Sequence, residues 1–234
     1  MLKKSYFGSI KYITKYEKIP PTIFIGFYAD AQENKNAITF DIAPLIVQPS
    51  RVSLGYMRNL NERIFVAGEL GHSFSENWGK ENGKTENYNL NQLRLEVGYI
   101  LTPSWQVHHF LSFDYQHINH KETLYDGFFE SEYLNSNGNE IFYTYNKINY
   151  HRLKNTFNIN YGVMVYFSDA RKVGVIPKVG LGLNIVDTKF TNAVNLQQDE
   201  DQDKGWFYVA SRYEKEGDEF IANFNFQVKF FYKF

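Results

Sequence analysis

The chain contains no cysteine among its 234 residues, so disulfide bonds and thiol chemistry have no part in its structure or function. Its 25 basic residues nearly balance 26 acidic ones, and no basic stripe of the kind that binds nucleic acid is present. No stretch approaches the roughly 18 apolar residues that a transmembrane helix requires. These absences argue against a nucleic-acid partner and exclude a membrane-spanning helix.

The chain is instead rich in aromatic side chains. Phenylalanine and tyrosine occur 21 and 18 times, and aromatics make up 18% of the residues, yet the mean hydropathy is only −0.45. A soluble core rarely combines such polarity with so many aromatics. Strands that alternate polar and apolar residues, with aromatic belts at two membrane surfaces, produce this combination.

The last fifteen residues alternate with a period of two. The even positions from Phe220 to Phe234 read Phe, Ala, Phe, Phe, Val, Phe, Tyr, Phe, and the odd positions between them are mostly Asn, Gln and Lys. A strand with this pattern has one aromatic-rich face and one polar face. It is typical of the closing strand of a transmembrane β-barrel, whose outer face meets lipid and whose inner face meets a polar lumen.

The N-terminus has the features of an export signal. An apolar segment, Thr22–Tyr28, precedes an A-x-A cleavage site at Ala29-Asp30-Ala31, and both follow a basic region containing Lys3, Lys4, Lys11, Lys15 and Lys18. We therefore expect a signal peptide over residues 1–31 and a barrel domain over residues 32–234. The alternative is an amphipathic N-terminal extension that stays attached.

Eight alternating segments follow, separated by turn residues. They are Ala37–Ile46, Arg51–Met57, Arg63–Phe74, Leu90–Leu101, Trp105–His117, Phe157–Phe167, Val173–Ile185 and residues 220–234. After the second strand the linkers are alternately short and long, as are the periplasmic turns and external loops of outer-membrane barrels. The pattern predicts an all-β fold: an eight-stranded, antiparallel, up-and-down transmembrane β-barrel with extended extracellular hairpin loops.

A soluble, lipocalin-like barrel is the alternative architecture, with an apolar pocket inside and a polar surface. The polar faces of the predicted strands carry glycines, which suit a narrow interior: Gly55, Gly71, Gly98, Gly162, Gly180 and Gly182. Aromatic residues also cluster near the strand ends, and the chain ends on one. These features favour the membrane barrel.

The terminal aromatic, the loop parity and turns such as Leu101-Thr102-Pro103-Ser104-Trp105 resemble the small OmpA/OmpX-type outer-membrane β-barrel family of Gram-negative bacteria. The resemblance covers residues 36–234 and implies an outer-membrane location, among lipid and lipopolysaccharide. It also implies recognition by the outer-membrane assembly machinery through the alternating C-terminal signal, Phe226, Val228, Phe230, Tyr232 and Phe234. Members of such families differ widely in function.

The predicted lumen contains charged side chains of both signs: Asp41, Glu69, Arg94, Glu96, Asp114, Lys178 and Lys229. Buried charges must be paired, because each unpaired one costs several kcal/mol. We expect a salt-bridged plug that closes the barrel. A narrow pore with a proton or ion path is the alternative.

The histidines raise an enzyme hypothesis, because some eight-stranded barrels deacylate or acylate lipid A with His and Ser. The candidates are His72 with Ser73, His108 and His109 with Ser112, and His117 with His120. Residues 72 and 73 point to opposite faces of one strand, as do 109 and 112, and no His-x-Ser pair occurs. We expect a non-enzymatic protein, with a lipid-modifying enzyme as the alternative.

One loop suggests a metal site. Asp199, Asp201 and Asp203 have the spacing of the first ligands of a calcium loop, but Lys204 and Ala210 occupy the positions where glycine and glutamate are required. We therefore expect no metal and no cofactor.

The loop between the fifth and sixth strands carries a hairpin signal. Residues 122–134 and 140–151 are rich in β-forming residues, and Asn137-Gly138 lies between them. We expect a protruding ribbon that exposes Tyr125, Phe128, Phe129, Tyr133, Tyr143 and Tyr145. This surface either binds a protein partner or packs against neighbouring loops, so the sequence predicts a structural or surface-binding protein.

Overall fold

The computed structural model describes residues 35–46, 51–73, 85–103, 107–135, 138, 140–167, 170–199 and 213–234. These residues all belong to one compact unit, Glu33–Phe234. The predicted signal peptide, residues 1–31, lies outside the described residues.

In the part of the chain that the structure describes there are nine strands and one short helix. They are β1 (Asn36–Asp41), α1 (Ala43–Ile46), β2 (Val52–Asn59), β3 (Ile64–Ser73), β4 (Thr85–Pro103), β5 (Val107–Leu134), β6 (Glu140–Tyr166), β7 (Val173–Val194), β8 (Gln197–Asp199) and β9 (Gly217–Lys233). Among the described residues, no helix is long and apolar enough to span a membrane.

The strands pair antiparallel in one sheet whose hydrogen bonding closes on itself. From β1 the neighbours run β2, β3, β4, β5, β6, β7 and β9, and β9 pairs again with β1. The short strand β8 adds to β6 at residues 142–144. The predicted all-β antiparallel architecture is confirmed. Over the described residues the sheet has nine strands where we expected eight, because β8 forms in the segment between the predicted seventh and eighth strands.

The first strand is shorter than its alternation predicts. It ends at Asp41, and residues 43–46 form α1, not strand. A carboxylate oxygen of Asp41 accepts a hydrogen bond from the backbone N–H of Ala43 at 3.1 Å, which favours a turn at this point. Pro44 has no N–H to donate to a ladder. These two local preferences override the periodicity.

Other strands are longer than predicted. The hairpin signal is correct, because β5 and β6 contain 28 and 27 residues and pair from Val107↔Val165 to Leu134↔Glu140. Strand β7 also continues past Ile185 to Val194. These additions carry the sheet beyond the level at which β3 ends.

The alternation of residues in β9 corresponds to one buried face and one exposed face of the strand. From Phe224 to Phe234 the odd-numbered side chains are buried or half-buried, and most even-numbered ones are exposed. The polar odd positions meet residues from strands that are not neighbours of β9, such as Glu69 of β3. The odd face is therefore the inside of the ring of strands.

At the end of the ring where β1 begins, each of three aromatic rings faces a glycine on the next strand. The directly opposite pairs are Phe65↔Gly98, Phe110↔Gly162 and Phe231↔Gly174. A Cβ atom at Gly98 would lie 2.1 Å from the Phe65 ring, so only glycine leaves room for that ring. The three rings belong to an apolar layer inside the ring: Ala37, Met57, Phe65, Ile100, Phe110, Met164, Tyr166, Ile176 and Phe231.

Candidate functional site

The charged side chains predicted for the lumen all lie inside the ring and contact one another; we call these seven residues the charged layer. Lys178 on β7 bridges two acids, with its Nζ 2.7 Å from Glu96 Oε1 and 3.1 Å from Asp114 Oδ2. Lys229 on β9 does the same, with its Nζ 2.8 Å from Glu69 Oε2 and 3.5 Å from Glu96 Oε2. Side chains from five strands thus meet across the interior.

Arg94 completes the layer. Its Nη1 lies 3.3 Å from Asp41 Oδ2 and 3.5 Å from Glu69 Oε1, and all three side chains are buried. Strands β1, β3 and β4 supply these groups, so the layer joins strands on both sides of the interior. Each base contacts two acids, which offsets the cost of removing the charges from water.

Buried amides support the charged layer, and the sequence analysis missed them. Asn158 and Asn160 donate to the two carboxylate oxygens of Asp114 at 2.8 Å each, and Gln92 donates to Glu69 at 3.0 Å. The signal was present, because Thr156, Asn158 and Asn160 are polar residues at every second position of β6. The sequence analysis predicted the interior from its charged side chains alone, so it gave these amides no role.

The interior is filled on one side of the charged layer. A cavity of about 10 Å³ lies between the charged layer and the apolar layer, with Phe65, Phe110 and Lys178 in its wall. This space holds at most about one water molecule. On the other side of the charged layer, Arg94 and Asp41 also line a cavity of about 380 Å³, which we call the outer cavity.

The predicted C-terminal signal lies on the outer face of β9. Phe226, Phe230, Tyr232 and Phe234 are exposed, and Val228 is half-buried. Strand β9 is hydrogen-bonded on both edges, to β7 along Gly217–Tyr232 and to β1 along Lys229–Lys233. It is the strand that closes the ring.

The six histidines lie near amide, phenol or carboxylate groups. A ring nitrogen lies 2.8 Å from Asn91 for His72, 2.9 Å from Asn155 for His117 and 3.1 Å from Asn119 for His151. His108 and His109 contact tyrosines, and His120 Nε2 lies 3.0 Å from Glu122 Oε1. The described contacts of these imidazole rings are therefore with partners other than Ser73 and Ser112.

Beyond the ring, the longer strands enclose a second apolar cluster. We call residues 121–134, 140–151 and 188–199 the extension. The buried residues of the apolar cluster are Leu124, Phe129, Tyr145, Ile148, Tyr150 and Phe190. The Phe129 and Phe190 rings stack with centroids 4.4 Å apart, and Tyr145 lies directly opposite Gly127.

This cluster corrects the predicted surface. Phe129 and Tyr145 were expected to be exposed, but they are 4% and 5% exposed because β7 continues beside the hairpin and covers them. Burial, with Glu122 and Glu214 nearby, raises the pKa of the Tyr145 phenol to about 12. Tyr125, Phe128 and Tyr143 are half-buried, and Tyr133 is exposed.

The hairpin is also held on its other edge. The backbone N–H of Glu130 donates to the carbonyl of Glu214 at 2.6 Å, and Glu216 donates back to Glu130 at 2.9 Å. Burial here raises the pKa of the Glu216 carboxyl, although hydrogen bonds from the backbone of Phe190 and from the side chain of Ser131 lower it. The hairpin is therefore packed on two sides, not a free ribbon.

Of the three aspartates with calcium-loop spacing, Asp199 ends β8, and Asp201 and Asp203 lie outside the described residues. In the part of the chain that the structure describes, no group of three histidine, aspartate or glutamate side chains is arranged to hold a metal ion.

No protein-family model, curated protein or solved structure matches the chain. Function must therefore be argued from the site and from the surface.

Proposed function

We propose that the chain is an outer-membrane β-barrel protein of Gram-negative bacteria with a structural or surface-binding role. The observation that carries this proposal is the polarity of the ring. Its interior contains paired charges and amides, whereas its outer face carries exposed aliphatic and aromatic side chains. A water-soluble barrel has the opposite arrangement, as in lipocalins.

The register of the strands supports a continuous apolar outer band. One row of directly opposite residues crosses six strands, and all six side chains are exposed: Val66, Val97, Phe113, Ile159, Leu181 and Phe224. Water-soluble proteins rarely expose contiguous apolar surface on this scale. Lipid tails are the solvent that such a band requires.

The location is tested by fractionating cells that express the full chain. We expect the protein in the outer-membrane fraction, resistant to alkaline extraction, and migrating differently on gels with and without heating because a folded barrel resists detergent. Recovery in the periplasmic soluble fraction would contradict the membrane proposal and favour a lipocalin-like protein. Changing Tyr232 and Phe234 to Ser removes two members of the assembly signal and is expected to lower the outer-membrane amount.

The packing of the interior supports the proposal that the lumen is closed. The charged layer and the apolar layer follow one another along the ring, with about 10 Å³ between them. An eight-stranded ring leaves an interior just wide enough to be filled by side chains. We expect pure protein in planar bilayers to give no large, steady conductance. A persistent channel would favour the pore alternative.

The extension supplies the surface-binding part of the proposal. At the tip of β5, Tyr133 and Leu134 are neighbours and are 67% and 60% exposed. Such residues are common in protein-binding surfaces. A partner that co-purifies with the protein should be lost in a Tyr133→Ser, Leu134→Ser variant and retained in a Lys189→Met variant. Retention in both would place binding elsewhere.

A further inference from the structure

The outer cavity is rich in positive charge. Among the described residues, the cavity is lined by one carboxylate, that of Asp41, which is ion-paired with Arg94, and by four cationic side chains: Arg51, Arg94, Arg152 and Lys154. His120 also lines it, beside Glu122. Several cationic side chains that converge on one space are a common arrangement for binding an anion.

Three buried nitrogens on residues that line the cavity have no hydrogen-bond partner among the described residues. They are the Nε of Arg94, the Nε of Arg152 and the amide nitrogen of Gln116. Arg94 and Gln116 are 3% and 6% exposed, and an unsatisfied buried donor costs about 1–3 kcal/mol. Guanidinium groups bind phosphate and carboxylate oxygens with paired N–H bonds.

The cavity also reaches the wall of the ring at one place. The ladder between β9 and β1 ends at Lys229↔Asp41, followed by one hydrogen bond from Ile42 N to Val228 O at 3.0 Å. Above it, α1 lies beside β9, and Pro44, Asn225 and Gln227 line the cavity. Among the described residues, β7 pairs with one edge of β9 along residues 218–227, and no strand pairs with the other edge, which faces β1.

We propose that the outer cavity binds a phosphate group, supplied either by a free phosphorylated solute or by the headgroup of a membrane lipid. Its volume of about 380 Å³ is within the range of small-molecule sites. Arg152 and Lys154 on β6 and Arg51 before β2 contact the anion from two sides, while Arg94 contacts it from the charged layer. Because the layers beneath the cavity are filled, the anion is bound and not conducted.

The experiment measures binding to the full, detergent-purified protein in a neutral detergent. Inorganic pyrophosphate is the soluble probe, measured by calorimetry. Nanodiscs of phosphatidylcholine with and without phosphatidic acid provide the lipid probe, measured by the lipid that remains after repurification. The test variant is Arg152→Met, Lys154→Met. The control is Lys189→Met, which removes an exposed cation outside the cavity. Heat-dependent gel migration verifies that each variant is folded.

We expect saturable binding by at least one probe, weakened tenfold or more in the double variant and unchanged in the control. Pyrophosphate binding alone identifies a solute site, and retention of phosphatidic acid identifies a lipid site. If the double variant does not fold, the wild-type protein in 1 M salt replaces it, because charge-driven binding is then screened. Absence of binding by both probes, or equal binding in all variants, would overturn the proposal.

Discussion

The ring and the extension share strands β5, β6 and β7, but these strands bury different kinds of side chain in the two regions. In the ring, β5 turns Ser112 and Asp114 inward and exposes Leu111 and Phe113. In the extension, the same strand buries Phe129 among aromatic rings. The exposed residues of the extension include Lys121, Asp126, Asn146, Lys147, Lys189 and Thr191.

Backbone irregularities mark the level at which the faces exchange. Asp126 of β5 and Asn192 of β7 have positive φ values of 50° and 56°, and the β6–β7 register shifts between Lys147 and Asn149. Each irregularity breaks the period-two alternation, so residues beyond it can face the other side. Asparagine and aspartate tolerate this conformation better than most residues.

The comparison bears on the proposed membrane location. A sheet that is apolar outside and polar inside suits lipid, and one that is apolar inside and polar outside suits water. A strand that is apolar on its outer face in one part and polar on its outer face in the next part suits a position that crosses from lipid into water. This reversal supports the membrane proposal independently of the C-terminal aromatic pattern. Three pairs of substitutions sharpen this comparison.

The largest difference in stability is expected between substitutions of two phenylalanines of β5. Phe129→Ala removes a ring stacked on Phe190 inside the extension and should cost about 3–5 kcal/mol. Phe113→Ala removes a side chain that is 47% exposed on the outer face of the ring and should cost much less. Limited proteolysis of the purified protein measures the result, with faster cleavage within the extension expected for the first variant alone.

Heat-dependent gel migration should survive in both variants, because the charged layer is untouched. Equal cleavage rates would mean that the aromatic cluster does not hold the extension together.

An intermediate effect is expected from arginine on the outer surface. Leu181 is 70% exposed in the middle of the ring, and Tyr133 is 67% exposed at the tip of the extension. Arginine near the bilayer midplane costs about 2–4 kcal/mol, whereas arginine in water costs almost nothing. Leu181→Arg should therefore reduce folding into lipid vesicles, followed by urea titration, and Tyr133→Arg should not. Equal stability of the two variants would argue for a water-soluble ring.

The sequence predicted the antiparallel all-β fold and the hairpin because alternation and turn residues are local signals. It placed the seven residues of the charged layer on inward faces for the same reason. It did not reveal that β7 covers Phe129, because that contact depends on a register between segments distant in the chain. The sequence also did not predict the helix at residues 43–46. The alternation of β1 continues through these residues, so they were expected to be strand, whereas Asp41 and Pro44 favour a turn.

The outer cavity shows the same limit. Arg152 and Lys154 lie on the inward face of β6, but the sixth strand was predicted to centre on residues 157–167, so neither residue was assigned to the interior. The missed contacts of Phe129 and the missed cavity share one cause. In both, the period-two pattern gives the face of a residue, but the length and pairing of the strands decide what that face meets.

The smallest effect is expected from methyl groups added to two glycines of the ring. A Cβ at Gly98 would overlap the Phe65 ring at 2.1 Å, whereas a Cβ at Gly68 would lie 3.8 Å from Leu95 on the outer face. Overpacking a filled interior costs about 1–3 kcal/mol. Gly98→Ala should therefore lower the urea midpoint in lipid vesicles, and Gly68→Ala should leave it nearly unchanged.

A second substitution identifies the cause of that loss. Phe65 packs edge-to-face on Phe110 with centroids 5.1 Å apart, so the ring cannot move away from Gly98 without disturbing its neighbour. Phe65→Leu in the Gly98→Ala background removes the overlapping atoms and should restore part of the lost stability, although it lowers stability on its own. If the two changes are simply additive, the glycine is not required to seat the ring. Its place on the inward face would then reflect only the width of the interior, and the apolar layer would tolerate larger side chains than its packing indicates.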